Sequence, residues 1–167
     1  MRKMTEEFLK NAFSGQSQAH MRYVIFAEEA EKAGFSNIAR LFRAISFAER
    51  VHATNHYRAL GMIRQTPKNL DVAIAGETYE VEDMYPAYKA VAQLQQENEA
   101  IKSFHYALEA EKIHAKMYSD AKKSSEAGKD IDVGQVYICS VCGHTGFGEP
   151  PDVCPICQAT KDKFRLF

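Results

Sequence analysis

The chain has 167 residues, 46% of them apolar, with 21 Lys and Arg against 22 Asp and Glu and a formal net charge of −1. That is enough chain for one sizeable core and a small satellite domain, and so even a charge balance excludes a nucleic-acid or anionic-membrane surface as the main partner. No apolar run approaches the roughly 18 residues of a membrane span, and the opening seven residues carry no apolar export signal, so a cytoplasmic protein is expected.

The first stretch with helical periodicity has Thr5 as its expected N-cap and Gly34 as its stop. Ser36 is the expected cap of a second helix that runs to Gly61. Gln65–Lys68 reads as a turn, and a third helical pattern covers roughly Asn69 to Gln95, with Pro86 expected to kink it. A fourth runs from about Asn98 to Ser125. Four patterned segments joined by short turns predict a mostly α protein, a four-helix bundle over residues 1–130. Beyond Ser124–Asp130, Gly, Pro and Cys rise and Val136–Ile138 reads as a short strand, so a second, small domain is expected over residues 131–167.

Each inward-facing stripe of the bundle is interrupted near its middle by polar side chains. These are Gln16, His20 and Tyr23 on the first helix; Glu49, His52 and His56 on the second; Glu77 and Glu80 on the third; and Glu111 and His114 on the fourth. Carboxylates in a core must be matched by cations. These stripes carry no equal set of Lys or Arg, and bound metal resolves the conflict.

The spacing agrees. Glu49–His52 and Glu111–His114 are both Glu-x-x-His, and residues three apart share a helix face, so carboxylate and imidazole reach one site. Glu77 and Glu80 repeat that spacing with two carboxylates. Chance alone supplies roughly half a Glu-x-x-His in a chain of this composition, so equivalent placement of the pairs, not the motif itself, carries the argument. Two such helices plus a Glu from each of the other two is the di-iron carboxylate arrangement. His20 and His56 read as ordinary half-buried histidines, and His105 and His144 as structural or surface residues.

All four cysteines fall in the last 29 residues. Cys139-x-x-Cys142 and Cys154-x-x-Cys157 form two knuckles whose four thiolates suit a tetrahedral metal. So small a module lacks the core to fold without it. Spacing alone does not choose iron over zinc.

Together the Gly15–Tyr23 segment, the two Glu-x-x-His helices, Gly76–Glu80 with Asp83–Pro86, and Tyr137–Cys157 resemble rubrerythrin over essentially the whole chain; the tail through Phe164 resembles a rubredoxin domain. The resemblance implies a ferritin-like four-helix bundle followed by a rubredoxin-like domain. It further implies a non-haem peroxidase that reduces hydrogen peroxide to water as protection against oxidative stress, with a di-iron centre in the bundle and one iron on Cys139, Cys142, Cys154 and Cys157. By that likeness Glu49 and Glu111 bridge the two irons, Glu77 and His114 hold one, and His52 and Glu80 alternate on the other. Tyr23 and Tyr85 match tyrosines near the peroxide pocket. An external electron donor, rubredoxin or an NAD(P)H-dependent reductase, is implied, as is a homodimer in which one subunit's four-cysteine site faces the other's di-iron site.

Two positions depart from the family pattern. Gln16 stands where the family has Glu; its amide oxygen can still ligate, but it brings no negative charge, so an impaired di-iron site is an alternative outcome. Gln158 stands where rubredoxins usually have Gly after the last cysteine. A ferritin-like ferroxidase and a zinc-ribbon module on a structural bundle are the competing readings. The appended four-cysteine module disfavours the first, since iron storage has no use for a dedicated electron entry site.

Overall fold

A computed structural model describes residues 1–167. The elements are α1 (Lys3–Lys32), α2 (Ser36–Ala59), α3 (Thr66–Tyr79), a π-helical turn (Glu80–Met84), α4 (Tyr85–Leu94), α5 (Asn98–Glu126), β1 (Val136–Cys139), β2 (Thr145–Phe147), a 3-10 turn (Lys161–Lys163) and β3 (Phe164–Leu166). They form two compact units, Met1–Arg64 and Gln65–Phe167. No helix is long and apolar enough to cross a membrane.

The N-terminal unit is the α1–α2 hairpin. Its turn is closed by the Phe35 N–H donating to the Ala30 carbonyl at 2.8 Å, which requires the left-handed backbone of Gly34, φ +82°. Small residues line the seam: Ala19, Ala27, Ala39, Ser46 and Ala53 are buried. Small residues fill so narrow a seam, and Ile38 and Ile45 on α2 stay exposed. Two expected caps are corrected. Helix α1 begins at Lys3, so Thr5 lies inside it, and Ser36 is already helical, its hydroxyl donating to Glu31 at 3.0 Å.

In the C-terminal unit, α3 starts at Thr66 with Pro67 in its first turn, where the missing N–H costs nothing, so the turn expected over Gln65–Lys68 is in fact the helix start. The kink expected at Pro86 is a π turn. The Tyr85 N–H reaches back to the Glu80 carbonyl, and the wider turn places Pro86 in the first turn of α4.

Past Glu126 the chain enters a three-stranded antiparallel sheet in the order β2-β1-β3, with Tyr137 opposite Gly146 and Ile138 opposite both Thr145 and Arg165. The Tyr137 ring covers Gly146, where any Cβ would collide with it, and meets Phe164 edge-on at 5.4 Å. The core of this small module is the cysteines themselves, flanked by Ile156, Ala159, Phe164 and Tyr106 of α5. Gln158 adopts the left-handed conformation, φ +62°, which explains why glycine suits the position. Its side-chain amide donates to the Cys154 carbonyl at 3.2 Å and ties the residue down.

Candidate metal centres

The two knuckles bring four sulfurs together. Cys139 and Cys157 sulfurs are 3.6 Å apart, Cys142 and Cys154 sulfurs 3.5 Å, and all four lie within 4.8 Å of one another with no disulfide formed. A tetrahedral metal with bonds of about 2.3 Å to sulfur needs edges of about 3.8 Å, so the cage fits one ion. Backbone N–H groups point at the sulfurs: those of Cys157 and Ile156 at Cys154, of His144 at Cys142, and of Ala159 at Cys157. Burial pushes the Cys142 and Cys157 thiols up, whereas at Cys154 the opposing burial is outweighed by the N–H groups of Cys157 and Ile156 together with the Cys142 and Cys157 thiols, which hold it below its usual value.

The second cluster spans α3 and α5. Ligand atoms of Glu77, Glu111 and His114 lie within 4.8 Å of one another, and His114 Nδ1 is 2.6 Å from Glu111 Oε2. Glu77 is pushed up to about 7 by burial, by its hydrogen bond to Glu111 and by the charges of Glu111 and Glu80. Glu80, at the head of the π turn, is also raised, by burial and then by Glu111, with His114 opposing. Tyr85, at the start of α4, is held neutral by burial and by the charges of Glu80, Glu111 and Glu77. Glu77 and Glu80, both raised beside the Glu111 carboxylate, form with it a hard oxygen-rich donor set completed by the His114 imidazole, and that set suits iron.

Of the expected ligands, Glu49 and His52 pair on α2 of the N-terminal unit at 3.2 Å, the carboxylate side chain 17% exposed and the imidazole 55%. Gln16 is half-buried on α1, and Tyr23 packs in an aromatic trio with Phe26 and Phe42. Two polar residues escaped the sequence reading. Ser46 is buried and bonds His20 twice, with its hydroxyl 2.8 Å from His20 Nδ1 and 3.0 Å from the His20 carbonyl. Thr145 is 7% exposed, its hydroxyl 2.8 Å from His114 Nε2 and 2.9 Å from the Gly143 carbonyl. Neither is a metal-ligating residue type, and neither position stood out by periodicity.

The C-terminal unit thus carries a carboxylate–imidazole cluster hydrogen-bonded to the edge of a four-thiolate cage. Residues 7–122 match the Rubrerythrin family, and residues 137–165 match the family described as Rubrerythrin, rubredoxin-like domain. Rubrerythrin-2 of Clostridium acetobutylicum is 48% identical over 178 residues, covering 98% of this chain and 97% of the relative. Nigerythrin of Nitratidesulfovibrio vulgaris is 34% identical, covering 98% and 86%. The structure described as fully reduced, all-ferrous nigerythrin matches with a TM-score of 0.57 at 33% identity, again over 98% of this chain and 86% of that one. The fold class is therefore the mostly α, ferritin-like bundle with a small four-cysteine metal domain, and the cofactors are a di-iron centre and one iron on four cysteines, which both donor sets fit. The chain belongs to the rubrerythrin family.

Proposed function

We propose that this protein is a non-haem peroxidase that reduces hydrogen peroxide to water, taking two protons and two electrons per peroxide and protecting its cell against oxidative stress. The observation that carries this reading is the hydrogen bond from the carboxylate–imidazole cluster to the four-thiolate module, His114 to Thr145 at 2.8 Å, because only an electron-transfer protein needs the two kinds of site joined. Bound in the bundle, an iron pair would supply the two electrons that cleaving the O–O bond requires, and the four cysteines would hold the iron that restores them.

In this reading Glu49, Glu77, Glu111 and His114 would hold the iron pair, and His52 and Glu80 would complete its ligands. Hard carboxylate oxygen favours the ferric state, and neutral imidazole the ferrous. Gln16 holds its place through the amide oxygen, with weaker grip on the metal. The neutral Tyr85 hydroxyl beside Glu80 is positioned to donate a hydrogen bond to bound peroxide, with Tyr23 as its counterpart from α1. The Glu77 carboxyl, pushed up to about 7 in the metal-free protein by burial and by Glu111, gives up that proton when it takes iron. The proposal includes a cytoplasmic homodimer fed by an external donor, rubredoxin or an NAD(P)H-dependent reductase.

The test is anaerobic reduction followed by titration with peroxide, alongside metal analysis. Three irons per chain, with two electrons consumed per peroxide, support the proposal. One iron per chain with an inert bundle contradicts it and points to a bundle site emptied by Gln16.

A further inference from the structure

We propose that Thr145 is a positioning residue for His114. Its hydroxyl accepts the Nε2 proton of that imidazole, leaves the Nδ1 lone pair facing Glu111 for metal, and carries the contact through the Gly143 carbonyl to Cys142 of the same chain. The inference rests on the reading of His114 as a bundle iron ligand.

The direction of the bonds follows from counting protons. Thr145 Oγ1 has one hydrogen and two neighbours, the Gly143 carbonyl at 2.9 Å and His114 Nε2 at 2.8 Å. A carbonyl only accepts, so the hydroxyl hydrogen goes to Gly143, and the oxygen presents only lone pairs to His114. Nε2 is therefore the protonated nitrogen. The other nitrogen, Nδ1, lies 2.6 Å from Glu111 Oε2, where metal shared with Glu77 and Glu111 needs a lone pair. A second partner that fixes the tautomer of a ligating imidazole is a general requirement of metal sites.

The position is built to hold this bond. Thr145 is 7% exposed, so little water competes for its hydroxyl. Its backbone is fixed opposite Ile138 in the β1–β2 ladder. The chain reaches it through Gly143, which turns at φ +81° and passes α5 closely enough that a Cβ there would sit 3.7 Å from Ala110 Cβ. A cavity of about 310 Å³ beside the bond is lined by Glu111 and His114 on one side and Cys142 and Gly143 on the other. Two hydrogen bonds and a short covalent stretch separate the Cys142 sulfur from the His114 ring. The family resemblance implies transfer between subunits, whereas this geometry supplies a bonded route inside one chain.

The test uses the full chain loaded with zinc at both sites, read by nitrogen-15 NMR of the histidine rings. In the wild type, His114 should show Nδ1 bound to metal and a slowly exchanging Nε2–H. Ligation through Nε2, or an unprotonated Nε2, would overturn the proposal without any variant. In Thr145→Val the Nε2–H should exchange rapidly, and competition titration should show bundle zinc affinity lowered by about 10–100-fold, the usual effect of losing such a partner. Thr145→Ser should restore both. With iron at the four cysteines, the visible spectrum of Thr145→Val should match the wild type, and reoxidation of that iron by peroxide should slow while remaining normal in Thr145→Ser. Wild-type zinc affinity and wild-type Nε2–H protection in Thr145→Val would contradict the proposal. The NMR and zinc readouts need no peroxide, so a wild type inert to peroxide would sink the peroxidase reading alone.

Discussion

The carboxyl groups of Glu77 on α3 and Glu111 on α5 are hydrogen-bonded to each other. Burial first, and then the bond to Glu111 and the charges of Glu111 and Glu80, push Glu77 up to about 7. A carboxyl raised in the folded state stabilises the fold fully below its ordinary value of 4.5 and loses that contribution as pH rises through about 7. In the metal-free protein, the stability of the wild type should therefore fall relative to Glu77→Gln across this window, as read by urea unfolding at a series of pH values. Parallel curves for the two proteins would show that Glu77 is not raised. The Glu77 proton must leave when metal binds, so bundle metal affinity should weaken as pH drops below about 7, with proton release measurable by calorimetry.

In the proposed site, where Gln16 is a ligand, Gln16→Glu adds a negative charge. Retention of bundle iron against a chelator should rise on the order of tenfold or more, since even partners outside the ligand shell alter metal affinity by that much. The thiolate iron should be retained as before. Equal retention at both sites in the variant and the wild type would mean that position 16 does not touch the metal.

Within the α1–α2 hairpin, Ser46 is 3% exposed and holds both the ring and the backbone of His20. Ser46→Ala removes both hydroxyl contacts while the His20 ring keeps the Ser46 backbone carbonyl at 2.9 Å, and losing a hydrogen bond of this kind costs about 0.5–1.5 kcal/mol. The midpoint of chemical unfolding followed by far-UV circular dichroism should drop accordingly, with the thiolate chromophore unaltered at low denaturant. An unchanged midpoint would mean that the pair contributes nothing to the hairpin.

Gly146 lies beneath the Tyr137 ring, so Gly146→Ala must push that ring off β2 and away from Phe164. Overpacking of this kind costs about 1–3 kcal/mol. The red iron–thiolate absorbance should be lost at lower denaturant than in the wild type, whereas Tyr137→Ala combined with Gly146→Ala should show little added loss beyond Tyr137→Ala alone. A fully additive pair would contradict the contact.

Much of this was legible in the chain. The helices announced themselves because a 3.6-residue apolar period is local, and Pro86 marked the interruption because a missing N–H is visible in one letter. Thr5 and Ser36 do not cap, because residue type favours a cap without requiring it; neither helix has a side-chain cap, and the Ser36 hydroxyl donates to Glu31 instead. The π turn was not legible as such, since its register depends on how Glu80 to Tyr85 pack. Among site residues, Glu77, Glu111, His114 and the cysteines follow from spacing. Ser46 and Thr145 do not, because each acts on a histidine 26 or 31 positions away and only folding brings the partners together.

The central claim is that Glu111 holds the iron pair at which peroxide is reduced, and Glu111→Ala tests it most directly. The reduced variant, mixed anaerobically with peroxide in a stopped-flow spectrometer, should keep the red chromophore's spectrum when oxidised but should not regain it on the timescale of the wild type, and it should leave the peroxide unconsumed. Peroxide reduction at the wild-type rate by that variant would contradict the account.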